Sequence, residues 1–292
     1  MAKRKTKPTV ALIYDFDGTL SPSNMQEYGF IQMAGMKPSD FWKKSKALSN
    51  TQNASEILCY MKLMLDEAKH SNMKLTKDAF KEHGSKVELY KGVLGWFDLT
   101  NDYGKSKGVK VEHYINSSGL TEMIEGTPIG KKFKNIYACS FIYDTHGVAE
   151  WPGVAVDFTA KTQFLFMINK GIENIKDNKR VNDYMPEEDR PVPFKNMIYF
   201  GDGATDIPCM KLIKQQGGNS IAVYKPNSPK KSSAEKLITE GRVNFVCPAD
   251  YSENADIYKV VTTIIDKIKS DFEFNKLQFA CKEKASKKSN CQ

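Results

Sequence analysis

Val10-Ala11-Leu12-Ile13-Tyr14-Asp15-Phe16-Asp17-Gly18-Thr19-Leu20 is the stretch whose reading decides the fold. Val10 to Tyr14 runs without a charged or strongly polar side chain. A short continuous apolar run with β-branched members reads as a strand buried on both faces of a parallel sheet. It stops at Asp15, and Gly18, Ser21, Pro22 and Ser23 supply turn chemistry. Asp15 and Asp17 therefore stand at the carboxyl end of a strand, where open α/β sheets hold their ligands.

Beyond that stretch the character changes. Residues 24–88 are rich in Met, Lys, Leu and Ala, and Ile57, Met61, Met64, Leu65 and Ala68 repeat at helical spacing. This predicts an all-helical insert. From Lys91-Gly92-Val93 onward, strands and helices alternate. Strands are expected at Val109 to Asn116, Ile136 to Phe141, Asn196 to Phe200, Ser220 to Tyr224 and Val243 to Val246. Helices are expected over Leu94 to Tyr103, Ser118 to Glu125, Thr159 to Asn169, Asp206 to Gln215, 229–239 and 254–272. Asp144-Thr145-His146-Gly147 reads as a hairpin turn inside 138–151, and 172–195 as a surface loop. The alternation predicts an α/β fold, a doubly wound (Rossmann-like) parallel sheet core with an inserted all-helical cap domain.

Three further motifs follow strands. Ile115-Asn116-Ser117-Ser118-Gly119-Leu120 puts small hydroxylated residues where a helix is expected to begin. Such a place suits an anion, although the same serines would serve as an N-cap. Lys161, in Asp157-Phe158-Thr159-Ala160-Lys161-Thr162, opens a helix. Ile198-Tyr199-Phe200-Gly201-Asp202-Gly203-Ala204-Thr205-Asp206 again ends a strand in acids flanked by glycines. Asp202 and Asp206 can bracket a hard cation together with Asp15, and oxygen-only ligation suits Mg²⁺ better than zinc.

Composition narrows the rest. The net charge of +8 resides in the ends: residues 1–9 and 276–292 each carry +4, and the body between them is neutral. A neutral body makes no phosphate-tracking groove, so nucleic acid is not expected as a partner. The basic ends read as frayed, solubilising tails. No apolar run approaches the about 18 residues of a membrane span. The basic start, Met1 to Pro8, is not followed by a signal-peptide layout, so we expect a cytoplasmic protein with no membrane partner. The six cysteines, at 59, 139, 209, 247, 281 and 291, form no Cys-x-x-Cys pair and read as thiols rather than a zinc site.

In this order and at these separations, the four motifs resemble those of the haloacid dehalogenase-like superfamily, over roughly residues 9–21 and 90–270. The insert resembles that superfamily's type-1 cap. The residues around Ser117 and the 138–151 hairpin are most similar to the phosphoserine-phosphatase-like branch. The resemblance implies a core of residues 1–21 and 90–292 and a cap of 22–89. It implies a Mg²⁺-dependent phosphomonoesterase working on a small phosphorylated metabolite, with Asp15 as the nucleophile that forms an aspartyl-phosphate. Asp17 would be the general acid and base. Mg²⁺ would be held by Asp15, Asp202 and the main-chain carbonyl of Asp17, with Asp206 in support. Ser117 and Lys161 would hold phosphoryl oxygens, and Thr19, Ser118, Gly119 and Thr205 would complete the phosphate site. Asp17 points away from dehalogenases and phosphonate hydrolases, whose leaving groups need no proton from that position. A phosphotransferase or phosphomutase on the same intermediate remains an alternative, as does a non-catalytic binding protein.

Two departures bear on substrate. Where the phosphoserine phosphatases carry a Glu about nine residues after the nucleophile, Asn24 stands here, with Glu27 nearby. The insert has no arginine, since none lies between Arg4 and Arg180, so a bidentate carboxylate clamp from the cap is missing. Thr205 also replaces that branch's usual Asn. Tyr28, Phe30, Phe41 and Trp42 are candidates either for a substrate-facing wall or for packing between cap helices.

Overall fold

The strand ending at Tyr14 lies in the middle of a seven-stranded sheet in the computed structural model, which describes residues 6–289. Met1 to Lys5 and Asn290 to Gln292, with Cys291, lie outside the described residues. Strand β1 (Thr9–Tyr14) is followed by the insert, helices α1 (Phe30–Met33), α2 (Pro38–Gln52), α3 (Glu56–His70) and α4 (Lys77–Gly84). The core resumes with α5 (Val93–Ser106), β2 (Lys110–Leu120), α6 (Thr121–Gly126), β3 (Asn135–Tyr143) and β4 (Ala149–Val154). Next come α7 (Lys161–Lys170), α8 (Asn178–Asn182), β5 (Met197–Gly201), α9 (Ile207–Gln215), β6 (Asn219–Tyr224), α10 (Lys230–Thr239), β7 (Phe245–Pro248) and α11 (Asp256–Ser289).

The sheet order is β4-β3-β2-β1-β5-β6-β7. Every pairing is parallel except the β3–β4 hairpin. Tyr14 pairs with Ile115 on one side and Phe200 on the other. That register brings the ends of β1, β2 and β5 level, so Asp15, Asn116-Ser117 and Gly201-Asp202 emerge side by side.

Val10 to Tyr14 are fully buried, as a central parallel strand requires. The Tyr14 hydroxyl accepts a hydrogen bond from Trp96 Nε1 (2.8 Å) and lies 3.1 Å from His113 Nδ1. Burial pushes His113 down to about 3, so the ring is neutral and completes an uncharged polar chain within the core.

The insert is seated on the core by close backbone contact. A Cβ at Gly84 of α4 would lie 1.9 Å from the Met123 carbonyl oxygen in α6, and one at Gly126 would lie 2.0 Å from the Lys81 carbonyl oxygen. Only glycine permits that approach. Thr76 also bridges Val148 at the β3–β4 turn, and Ser55 Oγ donates to Asp157 Oδ2 (3.1 Å).

Three expectations need correction. β2 does not end at Asn116: it continues to Leu120 through a register shift, and α6 begins only at Thr121. The 172–195 segment contains α8. The basic C-terminal stretch is not a frayed tail as far as Ser289, because α11 carries it on as helix. Among the described residues, Cys59, Cys139, Cys209 and Cys247 are buried free thiols and Cys281 is an exposed one. No described helix is long and apolar enough to cross a membrane.

Candidate active site

Three strand ends and the insert enclose a cavity of about 540 Å³. Asp15, Asp17 and Gly18 line it from the end of β1, Ser117, Ser118 and Gly119 from β2, and Asp202, Gly203, Ala204 and Thr205 from β5. The insert contributes Asn24, Gln26, Glu27, Trp42, Ile57 and Tyr60.

Lys161 organises the floor. Its side chain is fully buried at the start of α7, and Nζ donates to Asp15 Oδ1 (3.0 Å) and Asp206 Oδ1 (2.7 Å). Burial pulls the ammonium's pKa down, but the two carboxylates more than reverse this, and Lys161 stays charged. Asp206 is committed further: Oδ1 accepts from Tyr199 Oη (2.8 Å) and Oδ2 from the Gly203 N–H (3.2 Å). Neither Lys161 nor Asp206 lines the cavity; they act on it through Asp15.

Asp15 is pushed up to about 7, by burial first and by the neighbouring Asp206 and Asp202 charges, against the pull of Lys161. Asp17 is also raised, by burial and then by Asp15, while its Oδ1 accepts the Met25 N–H (2.9 Å). Asp202 is raised by burial, with Lys230 opposing: Nζ of that residue, in the first turn of α10, donates to Asp202 Oδ2 (2.8 Å). Crowded, desolvated carboxylates with raised pKa values mark candidate functional sites. Gly18 makes the crowding possible. Its φ is +82°, and a Cβ there would fall 2.2 Å from Asp202 Oδ2.

Asp15, Asp202 and Asp206 each offer a carboxylate oxygen, all within 4.8 Å of one another. This oxygen-only donor set fits a hard divalent cation such as Mg²⁺. Because Lys161, Tyr199 and Gly203 already occupy the Asp206 oxygens, that residue suits support of the site better than direct ligation. The Asp17 carboxylate lies outside the cluster.

The expected phosphate-binding residues divide. Ser117 is buried, and its Oγ accepts the Gly119 N–H (3.1 Å). Ser118 lines the cavity and has a buried Oγ with no partner among the described residues. Their presentation comes from the irregular end of β2, not from a helix N-terminus as expected. Thr205 lines the cavity; Thr19 does not. Thr19 is fully buried, its carbonyl accepts from Tyr251 Oη (2.8 Å), and its Oγ1 has no partner among the described residues. Of the four aromatic candidates, Trp42 alone lines the cavity; Phe30 and Phe41 are fully buried. Sequence reasoning missed Gln26, Tyr60 and Lys230.

The matching family model, haloacid dehalogenase-like hydrolase, spans residues 12–211. The chain belongs to the haloacid dehalogenase-like hydrolase family. An uncharacterized protein of Borreliella burgdorferi is 28% identical over 276 residues, covering 85% of this chain and 94% of that protein. Among solved structures, the family member described here is similar to a substrate-bound phosphoserine phosphatase (TM-score 0.54, 15% identity, 89% of this chain and 99% of that one). It is also similar to a family hydrolase from Salmonella enterica serovar Typhi (TM-score 0.53, 15% identity, 90% and 73%). A probable phosphoserine phosphatase from Vibrio cholerae matches with TM-score 0.54 and 12% identity, over 91% and 67%. At these identities the likeness is one of fold.

Proposed function

We propose that this haloacid dehalogenase-like hydrolase is a Mg²⁺-dependent phosphomonoesterase that hydrolyses a small phosphorylated metabolite through an aspartyl-phosphate on Asp15. The observation that carries the reading is the buried Lys161 ammonium bonded to both Asp15 and Asp206 beneath a cavity lined by Asp17 and Asp202. In this reading residues 22–89 are the cap, and residues 1–21 with 90–292 are the core.

With Oδ1 held by Lys161, Asp15 presents Oδ2 to phosphorus. An Asp15–phosphorus bond forms as the bond to the leaving oxygen breaks. Asp17, whose raised pKa favours the protonated form, gives its proton to that oxygen. Asp17 then takes a proton from water as the water oxygen displaces Asp15 and releases phosphate. Ser117, Ser118 and Thr205 offer hydroxyl donors to the phosphoryl oxygens. Asp15, Asp202 and the Asp17 carbonyl would hold Mg²⁺, which when bound offsets the charge between an anionic nucleophile and an anionic ester.

The test is hydrolysis of p-nitrophenyl phosphate, with phosphate release measured beside phosphoryl transfer to added ethanol. The expected result is phosphate release that requires Mg²⁺ and disappears in Asp15→Asn. Undiminished release by that variant, or transfer in place of release, would overturn the assignment.

A further inference from the structure

We propose that the leaving group accepted here is a protonated amine, so that the substrate is the phosphate ester of a small amino alcohol without a carboxylate; this rests on the phosphomonoesterase reading above.

On the insert's side the cavity is lined by Gln26 and the Glu27 carboxylate, with no cation among the described insert residues that line it. Gln26 is 2% exposed, lines the cavity, and has an Oε1 with no partner among the described residues. A buried acceptor left unpaired costs about 1–3 kcal/mol. Beside it, Glu27 Oε1 accepts from Asn24 Nδ2 (2.8 Å) and Trp42 Nε1 (2.7 Å). These two donors fix the carboxylate and leave Oε2 for a ligand. Among the described residues, no lysine or arginine pairs with Glu27. An unneutralised carboxylate with a fixed orientation selects a cation, through a charge-assisted hydrogen bond.

The remaining lining agrees. The Trp42 and Tyr60 rings lie 5.9 Å apart between centroids, and Ile57 stands with them on the cavity wall. Aromatic rings attract an ammonium group and accommodate its methylene stem. A carboxylate or a second phosphate would find no matching receptor. Among the described lining residues Lys230 is the sole cation, and it is engaged by Asp202. Among the described residues no arginine lines the cavity. The volume of about 540 Å³ admits a phosphoryl group with a leaving group of a few heavy atoms.

Two measurements test the proposal. The first compares kcat/KM, with Mg²⁺ present, for O-phosphoethanolamine, O-phosphoserine, 2-phosphoglycolate and p-nitrophenyl phosphate. The second reads recognition without turnover, by calorimetric titration of phosphoethanolamine and phosphoglycolate into Asp15→Asn. We expect phosphoethanolamine to be favoured over phosphoglycolate about tenfold or more in both, as one charge-assisted contact provides. We expect that ratio to collapse in Glu27→Gln, chiefly through KM, and to be largely retained in Glu27→Asp. Hydrolysis of p-nitrophenyl phosphate with phosphoserine or phosphoglycolate equal to the amine would overturn the proposal and leave the phosphomonoesterase reading standing. Failure to hydrolyse any ester would sink that reading instead. The calorimetric ratio would still decide the amine: equal binding of the two esters overturns it.

Discussion

Replacing Lys161 by Met removes one ammonium from beneath two carboxylates and keeps most of its stem volume. The ion pairs are buried: side-chain exposure is 0% for Lys161, 8% for Asp15 and 1% for Asp206. Breaking a buried pair by deleting one partner typically costs about 3–5 kcal/mol, because the other charge is stranded. Asp15 can relieve part of this by taking up a proton, since it already sits near 7. The lower end, about 3 kcal/mol, is therefore the expected loss. At about 2 °C per kcal/mol for a chain of this size, the midpoint should fall by about 6 °C. The assay is scanning calorimetry in chelator at pH 8, where protonation offers least relief; at pH 6 the loss should be smaller. Adding Asp206→Asn to Lys161→Met should recover part of the loss, because it deletes a stranded charge. A fall below about 2 °C, or a double variant less stable than the single, would refute the account of Lys161 as the partner of both acids.

Asp15 gives a pH signature. Its folded pKa of about 7 exceeds the unfolded value, so its contribution to stability is complete at low pH and is lost as pH rises through 7. In chelator, the wild-type midpoint should fall relative to that of Asp15→Asn between pH 5.5 and 8; parallel curves would contradict the raised pKa. Lys230→Ala removes a cation 2.8 Å from Asp202, and titration calorimetry should show Mg²⁺ binding tightened about fivefold, the about 1 kcal/mol of a pair whose lysine is exposed. Weaker binding would mean that Lys230 supports the metal site and does not compete with it. Gly84→Ala and Gly126→Ala must push α4 off α6, and each should cost about 2–3 kcal/mol in urea unfolding. A loss under about 0.5 kcal/mol would show that the two backbones do not hold this approach.

The parts of this protein legible in its sequence are those whose signal is local. Val10 to Tyr14 announces a buried strand by composition alone, and Asp15, Asp17, Asp202 and Lys161 stand at the ends or starts of elements that periodicity locates. The end of β2 runs against its local signal: Ser118 and Gly119 favour caps and turns, yet tertiary pairing draws the strand on to Leu120, opposite Cys139. Thr19 shares a motif with two acids but is fully buried off the cavity lining, with its main-chain carbonyl bonded to Tyr251. Lys230 is one basic residue among many until the fold brings α10 beside Asp202. Gln26 and Tyr60 acquire meaning only when the insert closes the cavity. The continuation of α11 was readable: no Gly or Pro interrupts Asp256 to Ser289. The apolar stripe fades after Phe279, and an exposed helix needs no such stripe to be helical.

The central claim is that Asp15 carries the phosphoryl group. The direct measurement is borohydride quenching during steady-state hydrolysis, which reduces an aspartyl-phosphate to homoserine, followed by mass spectrometry of the peptide spanning Val10 to Leu20. The account predicts homoserine at position 15, dependent on substrate and Mg²⁺, with Asp17 unmodified. Active turnover with Asp15 unreduced, or reduction at another aspartate, would contradict it.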